Sequence, residues 1–228
     1  MEFEKLFSRY DRLMVFDTET TGLNFSQDQI IEFAAVVVEQ KAGKAVIVQE
    51  YDELISLKPG TVVPPEIEQL TGISTEDIRQ RGIPKERLCA DIARMISGNT
   101  LLLAYNAHFD LSFLFYLLYQ HADVAILKGK DKLDLLTVYK DRRPYPHKLC
   151  YAIEAYGLAD QVVNSHRAVD DVIATVAVMK EMEKEKADLE RYVNLFGYHP
   201  KYGLGSKAIR SVTYKPQQYD PVAPLYEL

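Results

Sequence analysis

The chain has 228 residues, 47% hydrophobic and 26% charged, which is enough apolar material for one sizeable core. A formal net charge of −6 argues against a protein that coats duplex nucleic acid through charge alone, since such a protein would be basic. No apolar run is long enough to cross a bilayer, and Cys89 and Cys150 stand isolated, without metal-type or disulfide spacing.

The first residues, Met1-Glu2-Phe3-Glu4-Lys5, lack the basic and apolar regions of a secretion signal. With two isolated cysteines, a reducing cytoplasmic setting away from membranes is expected. Leu13 to Phe16 is a short apolar run, predicted as a buried β-strand, and it leads into Asp17-Thr18-Glu19-Thr20-Thr21-Gly22. Side chains two apart on a strand share a face, so Asp17 and Glu19 should project side by side ahead of a turn carrying Gly22 and Asn24. Paired carboxylates repel in a low dielectric, and a divalent cation such as Mg²⁺ or Mn²⁺ removes that penalty. The alternative is that one acid faces solvent while the other caps the turn.

Ile30 to Val38 is apolar and rich in β-branched residues, and Ala45 to Leu57 alternates apolar with polar after the turn signal Lys41-Ala42-Gly43-Lys44. The pattern predicts a hairpin paired with the first strand. Glu32, a lone acid in the apolar run, is expected to face outward, with an auxiliary role near a metal as the alternative. Pro59-Gly60 and Pro64-Pro65 mark a loop. A short helix over Glu66 to Leu70 follows, and then a helix start with Ser74 as N-cap and Asp77 at the capping-box position.

Helical spacing over Pro84 to Ser97 precedes a predicted strand at Thr100 to Tyr105. Asn106 suits the N-cap of a helix from about His108 to His121. Asp110 in its first turn is either a partner for the helix dipole or a third carboxylate at the same sheet edge. Leu133 to Tyr139 reads as a strand or a strand–helix edge, and Leu149 to Tyr156 as a helix. The last long helix is expected from Ala168 to about Tyr192, with a solvated charge run at Glu181 to Lys186.

His166-Arg167-Ala168-Val169-Asp170-Asp171 opens that helix, and histidine is the usual general base near neutral pH. Helical geometry alone would pair His166 with Asp170; a His166 in the preceding loop would free Asp171 to point inward. Residues 195–228 are rich in glycine, proline and tyrosine and read as a tail packed on a domain spanning 1–194. Strands first, then alternating helix and strand, predict an α/β fold with helices on a mixed sheet.

Together, Asp17-Thr18-Glu19-Thr20-Thr21-Gly22, Asn106-Ala107-His108-Phe109-Asp110 and His166-Arg167-Ala168-Val169-Asp170-Asp171 resemble the three motifs of the DEDDh exonucleases. That group includes the proofreading ε-type subunits of bacterial DNA polymerase III, ribonuclease T and oligoribonuclease. The resemblance covers roughly residues 12–180, including Leu70-Thr71-Gly72-Ile73 and Lys148-Leu149. It implies a ribonuclease H-like fold with a central mixed five-stranded sheet. It also implies two Mg²⁺ or Mn²⁺ ions held by Asp17, Glu19, Asp110 and Asp171, with His166 as general base.

The activity so implied is 3′→5′ release of nucleoside monophosphates from single-stranded 3′ ends, DNA favoured over RNA, in proofreading or repair. A DNA polymerase is the implied protein partner. The alternatives are an exoribonuclease trimming RNA 3′ ends and a polymerase-associated subunit whose main role is protein contact. Leu23 and Phe109 match apolar positions that bracket the terminal base in relatives, while Thr18, Thr20 and Asn106 match positions near the terminal nucleotide. Thr71 and Tyr105 depart from the pattern, each standing where relatives often carry histidine. The basic loop Lys140 to Lys148 is either plain surface or, through Arg142, Arg143 and Lys148, a contact to upstream phosphates.

Overall fold

The computed structural model describes residues 2–163, 165–204, 207–218 and 223–228. A short helix, α1 (Glu4–Phe7), precedes strands β1 (Arg12–Thr20), β2 (Ile30–Lys41) and β3 (Lys44–Leu54). Helices α2 (Pro65–Thr71), α3 (Thr75–Arg81) and α4 (Lys85–Met95) lead to β4 (Thr100–Ala104) and α5 (Ala107–His121). Then come β5 (Lys132–Asp134), α6 (Leu135–Lys140), α7 (Leu149–Ala155) and α8 (Ala168–Glu185). The main sheet has the order β3-β2-β1-β4-β5, with β1–β2 and β2–β3 antiparallel and β1–β4 and β4–β5 parallel. This is the mixed five-stranded sheet that the resemblance implies.

Parity along β1 sorts the core. Leu13 and Val15 pack on one face with Ala34 and Val36 of β2 and with Val172 and Met179 of α8. Met14 and Phe16 pack on the other with Phe33, Leu88 of α4 and Leu114 of α5. Each large side chain so buried contributes about 1.5–3 kcal/mol. Continuing the alternation past Phe16, Asp17 and Glu19 fall on the α8 face while Thr18 and Thr20 fall on the α5 face. The strand does not stop before the acids. It runs through them to Thr20, and its register with β2 slips where the partners change from Glu32 to Ile30.

Two departures from the predicted elements, and the strand–helix edge expected over 133–139, have visible causes. The helix α8 ends at Glu185 rather than near Tyr192, because the Arg142 guanidinium donates to the carbonyls of Met182 and Lys186 and closes the helix end. The segment 133–139 divides at Asp134, whose carboxylate accepts from the backbone N–H groups of Leu136 and Thr137 and starts α6. The tail carries β6 (Leu195–Tyr198) and β7 (Thr213–Pro216), a parallel pair apart from the main sheet. Phe196, Ile209 and Val212 of this region join the core on the α5 face, and the Tyr226 ring meets Tyr192 edge-on at 4.9 Å. Among the described residues no helix is long and apolar enough to cross a membrane.

Candidate active site at the end of the central strand

Asp17 and Glu19 leave β1 on the face that α8 covers, and the first turn of α8 delivers Asp171 to the same place. Glu19, His166 and Asp171 each bring one ligand atom within 4.8 Å of the others. Asp110 reaches β1 from the first turn of α5: its Oδ1 accepts from the Thr18 backbone N–H at 3.0 Å and from the Thr18 hydroxyl at 2.7 Å. Four carboxylates distant in sequence therefore meet at one end of the sheet.

Crowded and buried together, three of them bind protons more tightly than carboxylates ordinarily do. Burial, then the charges of Asp110, Asp171 and Glu19, hold Asp17 far above the usual carboxylate range. Burial and then Asp171, Glu32 and Asp110 push Glu19 up to about 8, against a smaller opposing pull from Arg167. Burial lifts Asp110 to about 7 despite its two hydrogen bonds from Thr18. Carboxylate oxygens with one imidazole form a donor set suited to a hard divalent ion.

His166 lies outside the helix, exposed, with a left-handed φ of 57°, a conformation uncommon for a residue with a Cβ. The helix begins at Ala168, so His166 and Asp170 are not held on one helical face. Asp170 accepts instead from the Ser165 hydroxyl, and Asp171 is the inward acid.

Two further carboxylates, Glu32, expected to face outward or assist a metal, and Asp134, given no role by the sequence, fasten these pieces to the sheet. Glu32 is fully buried rather than outward-facing, and it stands across from Glu19 in the β1–β2 register. Its Oε1 accepts from Arg167 Nε at 2.8 Å and from Nη2, and its Oε2 accepts from the Ala168 backbone N–H at 2.7 Å. Glu32 thus caps α8 from a strand 136 residues earlier, and Arg167 gives it a counter-charge. Asp134 does the same for α5, accepting from the Ala107 backbone N–H at 3.0 Å. Asn106 occupies the N-cap position of α5, but in a left-handed conformation and without a side-chain cap, which leaves its amide exposed. The signals for Glu32 and Asp134 were single acids within apolar runs; their partners are too far along the chain to pair by inspection.

The residues matched to substrate contacts divide in two. Leu23 is 86% exposed beside the acids' turn, and Phe109 is half-buried with its ring 5.0 Å from Phe113. Thr18 and Thr20 are buried, and both hydroxyls serve internal partners: Thr18 holds Asp110, and Thr20 donates to the Gly22 carbonyl at 2.6 Å. A Cβ on Gly22 would meet the Asp28 carboxylate at 2.6 Å and push it off the Asn24 backbone N–H and the Thr21 hydroxyl. Both departures from the family pattern are likewise inward. Thr71 bonds within its own helix end, and the Tyr105 hydroxyl donates to the His147 carbonyl at 2.8 Å.

The basic loop corrects an expectation. Arg142 donates to Asp188 at 2.6 Å and to helix-end carbonyls, while Arg143 pairs with Glu185 at 2.7 Å and lies over the Tyr156 ring. Both guanidinium groups are spent inside the molecule, and of the three residues only Lys148 is exposed.

Residues 14–179 match a family model described as an exonuclease, RNase_T. The DNA polymerase III subunit epsilon of Treponema pallidum (strain Nichols) is 32% identical over 150 residues, covering 64% of this chain and 54% of that protein. A PolC-type DNA polymerase III of Latilactobacillus sakei subsp. sakei (strain 23K) is 30% identical over 198 residues, 84% of this chain and 13% of that protein. The chain therefore spans about half the length of the first relative and a small part of the second. In fold it is similar to E. coli exonuclease I in complex with a dT13 oligonucleotide. That match has a TM-score of 0.70 at 22% identity over 80% of this chain and 43% of that one.

Proposed function

The chain belongs to the exonuclease family that its residues 14–179 match, and from that footing we propose that it trims single-stranded DNA from the 3′ end. It hydrolyses one phosphodiester at a time and releases nucleoside monophosphates. The observation that carries the proposal is the convergence of Asp17, Glu19, Asp110, His166 and Asp171 at one sheet end, with three of them within 4.8 Å of one another. Proofreading or repair, with a DNA polymerase as partner, is supported by the likeness to an epsilon subunit and to PolC-type polymerases.

Asp17, Glu19, Asp110 and Asp171 would hold two divalent ions, Mg²⁺ or Mn²⁺. When bound, such ions supply the positive charge that acidifies the attacking water and stabilises the attacking and leaving oxygens. The rest falls to the chain itself. His166, at the solvent side of the acids, accepts the proton of the attacking water. Thr18 keeps Asp110 aimed across the strand end, and the Glu32 cap keeps His166 and Asp171 in register with Glu19. Leu23 and Phe109 enclose the terminal base, and the Asn106 amide, free of any capping duty, meets the terminal nucleotide. Lys148 remains as a contact to a phosphate.

The test is a pair of matched single-stranded DNA and RNA oligonucleotides, labelled at the 5′ end, with Mg²⁺ and with EDTA. A Mg²⁺-dependent ladder shortening from the 3′ end of the DNA is expected. A faster ladder on RNA would reassign the substrate, and an absence of mononucleotide release from either would overturn the proposal.

A further inference from the structure

A groove of about 520 Å³ runs along α5, between the turn that carries Leu23 and the tail. Ser112, Tyr116 and Tyr119, spaced as i, i+4 and i+7, form its floor from a single helix face. Phe25, from the turn that carries Leu23, closes one end, with its ring 5.8 Å from Tyr116 and nearly perpendicular to it. The opposite wall is tail backbone from 207 to 211. It is fastened by the His108 ring to the Lys207 carbonyl at 3.1 Å and by Lys132 to the Ser211 hydroxyl at 2.7 Å.

The charge on this groove inverts that of the whole molecule. Lys128, Lys207 and Arg210 line it and are exposed, and no acidic side chain lines it among the described residues. The chain carries 33 acids against 27 lysines and arginines, so an acid-free wall with three exposed cations, besides the buried Lys132, is a local exception. None of the three cations has an ion-pair partner among the described residues. Tyr119 is 75% exposed, a large ring face left to solvent.

Exposed aromatic faces among unpaired cations are what single strands bind: bases stack on the rings for about 1–3 kcal/mol each, and phosphates meet the lysines and arginines. The groove begins on elements that also carry the site: Ser112 lies two residues beyond Asp110, on a different side of α5, and Phe25 two beyond Leu23; from Ser112 to Tyr119 the helix runs about 10 Å further from its first turn. The wall at 207–211 lies outside the residues 14–179 matched to the family.

We propose that this groove holds the single-stranded DNA upstream of the 3′-terminal nucleotide, with its bases on Tyr116 and Tyr119 and its phosphates on Lys128, Lys207 and Arg210. The proposal rests on the exonuclease reading given above. It makes the tail part of the substrate path, and it makes turnover depend on strand length.

The full chain carrying K128E, K207E and R210E together, and separately Y119A and Y119F, would be compared with the unaltered protein on a dinucleotide and on an oligonucleotide of about twelve residues. For the triple variant, KM on the longer strand should rise about tenfold or more, with kcat retained and the dinucleotide rate unchanged. Its salt dependence should flatten by up to about 2 in log–log slope, near 0.7 for each phosphate no longer held. Y119A should raise KM on the longer strand and Y119F should restore it. Equal effects on both substrates, or none, would overturn the groove assignment while leaving the exonuclease reading intact. If the unaltered protein cleaves neither substrate, the exonuclease reading fails first. Fluorescence anisotropy with labelled single-stranded DNA then decides the groove directly: binding weakened by the triple variant supports it, and binding that is absent or unchanged overturns it.

Discussion

Where α8 ends against the loop after α6, Arg142 has a side chain only 7% exposed, and its two Nη groups donate to Asp188 and to two helix-end carbonyls, while its buried Nε has no partner among the described residues. Tyr226 adds a hydrogen bond to the same carboxylate at 2.6 Å. Burial works against Asp188, yet Tyr226, Lys186 and Arg142 hold its carboxyl below the usual range. At the end of β1 the opposite is built: Asp17, Glu19 and Asp110 are held above the usual range by burial and by the charge of neighbouring acids. Arg167, the guanidinium that bears on Glu19 among the described residues, is spent on Glu32. Charge that serves the fold has been matched within the fold, and charge left crowded against its own kind waits for something from outside it.

The sharpest way to break this contrast is Asp17→Asn. Hydrolysis should fall about a thousandfold or more, ~4 kcal/mol of barrier, while the metal-free protein melts higher because the cost of burying an ionisable carboxyl among like acids is gone. Near-normal turnover in an end-release assay would mean that the crowded acids are not the reactive centre. At the paired joint, Arg142→Ala should cost about 3 kcal/mol of stability by leaving the buried Asp188 with only Lys186 and Tyr226 and the end of α8 without its donor, read as a lower denaturant midpoint. Activity per folded molecule should hold.

The same contrast has a pH signature. Glu19 and Asp110, raised to about 8 and about 7, bind more protons in the folded state than in the unfolded one between their ordinary carboxylate range and those values. In EDTA, stability should therefore be greatest below that window and fall as pH rises through it. Saturating Mg²⁺ should reverse much of the loss at the upper end of the window, because an ion that binds only the folded state raises its melting temperature. A flat melting profile across the window in EDTA would count against the crowding of acids. Arg167→Lys keeps the charge but loses the fork that grips Glu32. A drop of about tenfold in kcat is expected, as for partners that orient ligands elsewhere, with KM and melting temperature little changed.

Much of this site could be read from local pattern, and the parts that could not share one cause. Strand parity put Asp17 and Glu19 on one face, because alternation needs only neighbouring residues. Apolar spacing located α5 and α8, and with them Asp110 and Asp171. Glu32 was misassigned because its partners, Arg167 and the Ala168 N–H, come from the far end of the domain, and nothing near Ile31 or Phe33 announces them. Arg142 and Arg143 stood out as a basic cluster, yet Asp188 and Glu185 claim them more than 40 residues later. The binding groove escaped for the same reason: its cations are scattered over 128, 207 and 210 and gather only once the tail folds along α5.

The smallest effect expected is also the one that tests this view of charge most directly. Arg143 pairs with Glu185 at a half-exposed site and lies 4.9 Å from the centre of the Tyr156 ring. Ion pairs of that exposure contribute roughly 0–1 kcal/mol, so Arg143→Ala should lower stability by about 1 kcal/mol once the ring contact is included. A residue spent in this way has nothing left for a phosphate. The salt dependence of DNA binding should then match that of the unaltered protein, in contrast to the flattening expected for Lys128, Lys207 and Arg210. A flatter slope for Arg143→Ala would show that the guanidinium leaves Glu185 when DNA arrives, and that pairing inside the fold does not by itself withdraw a charge from binding.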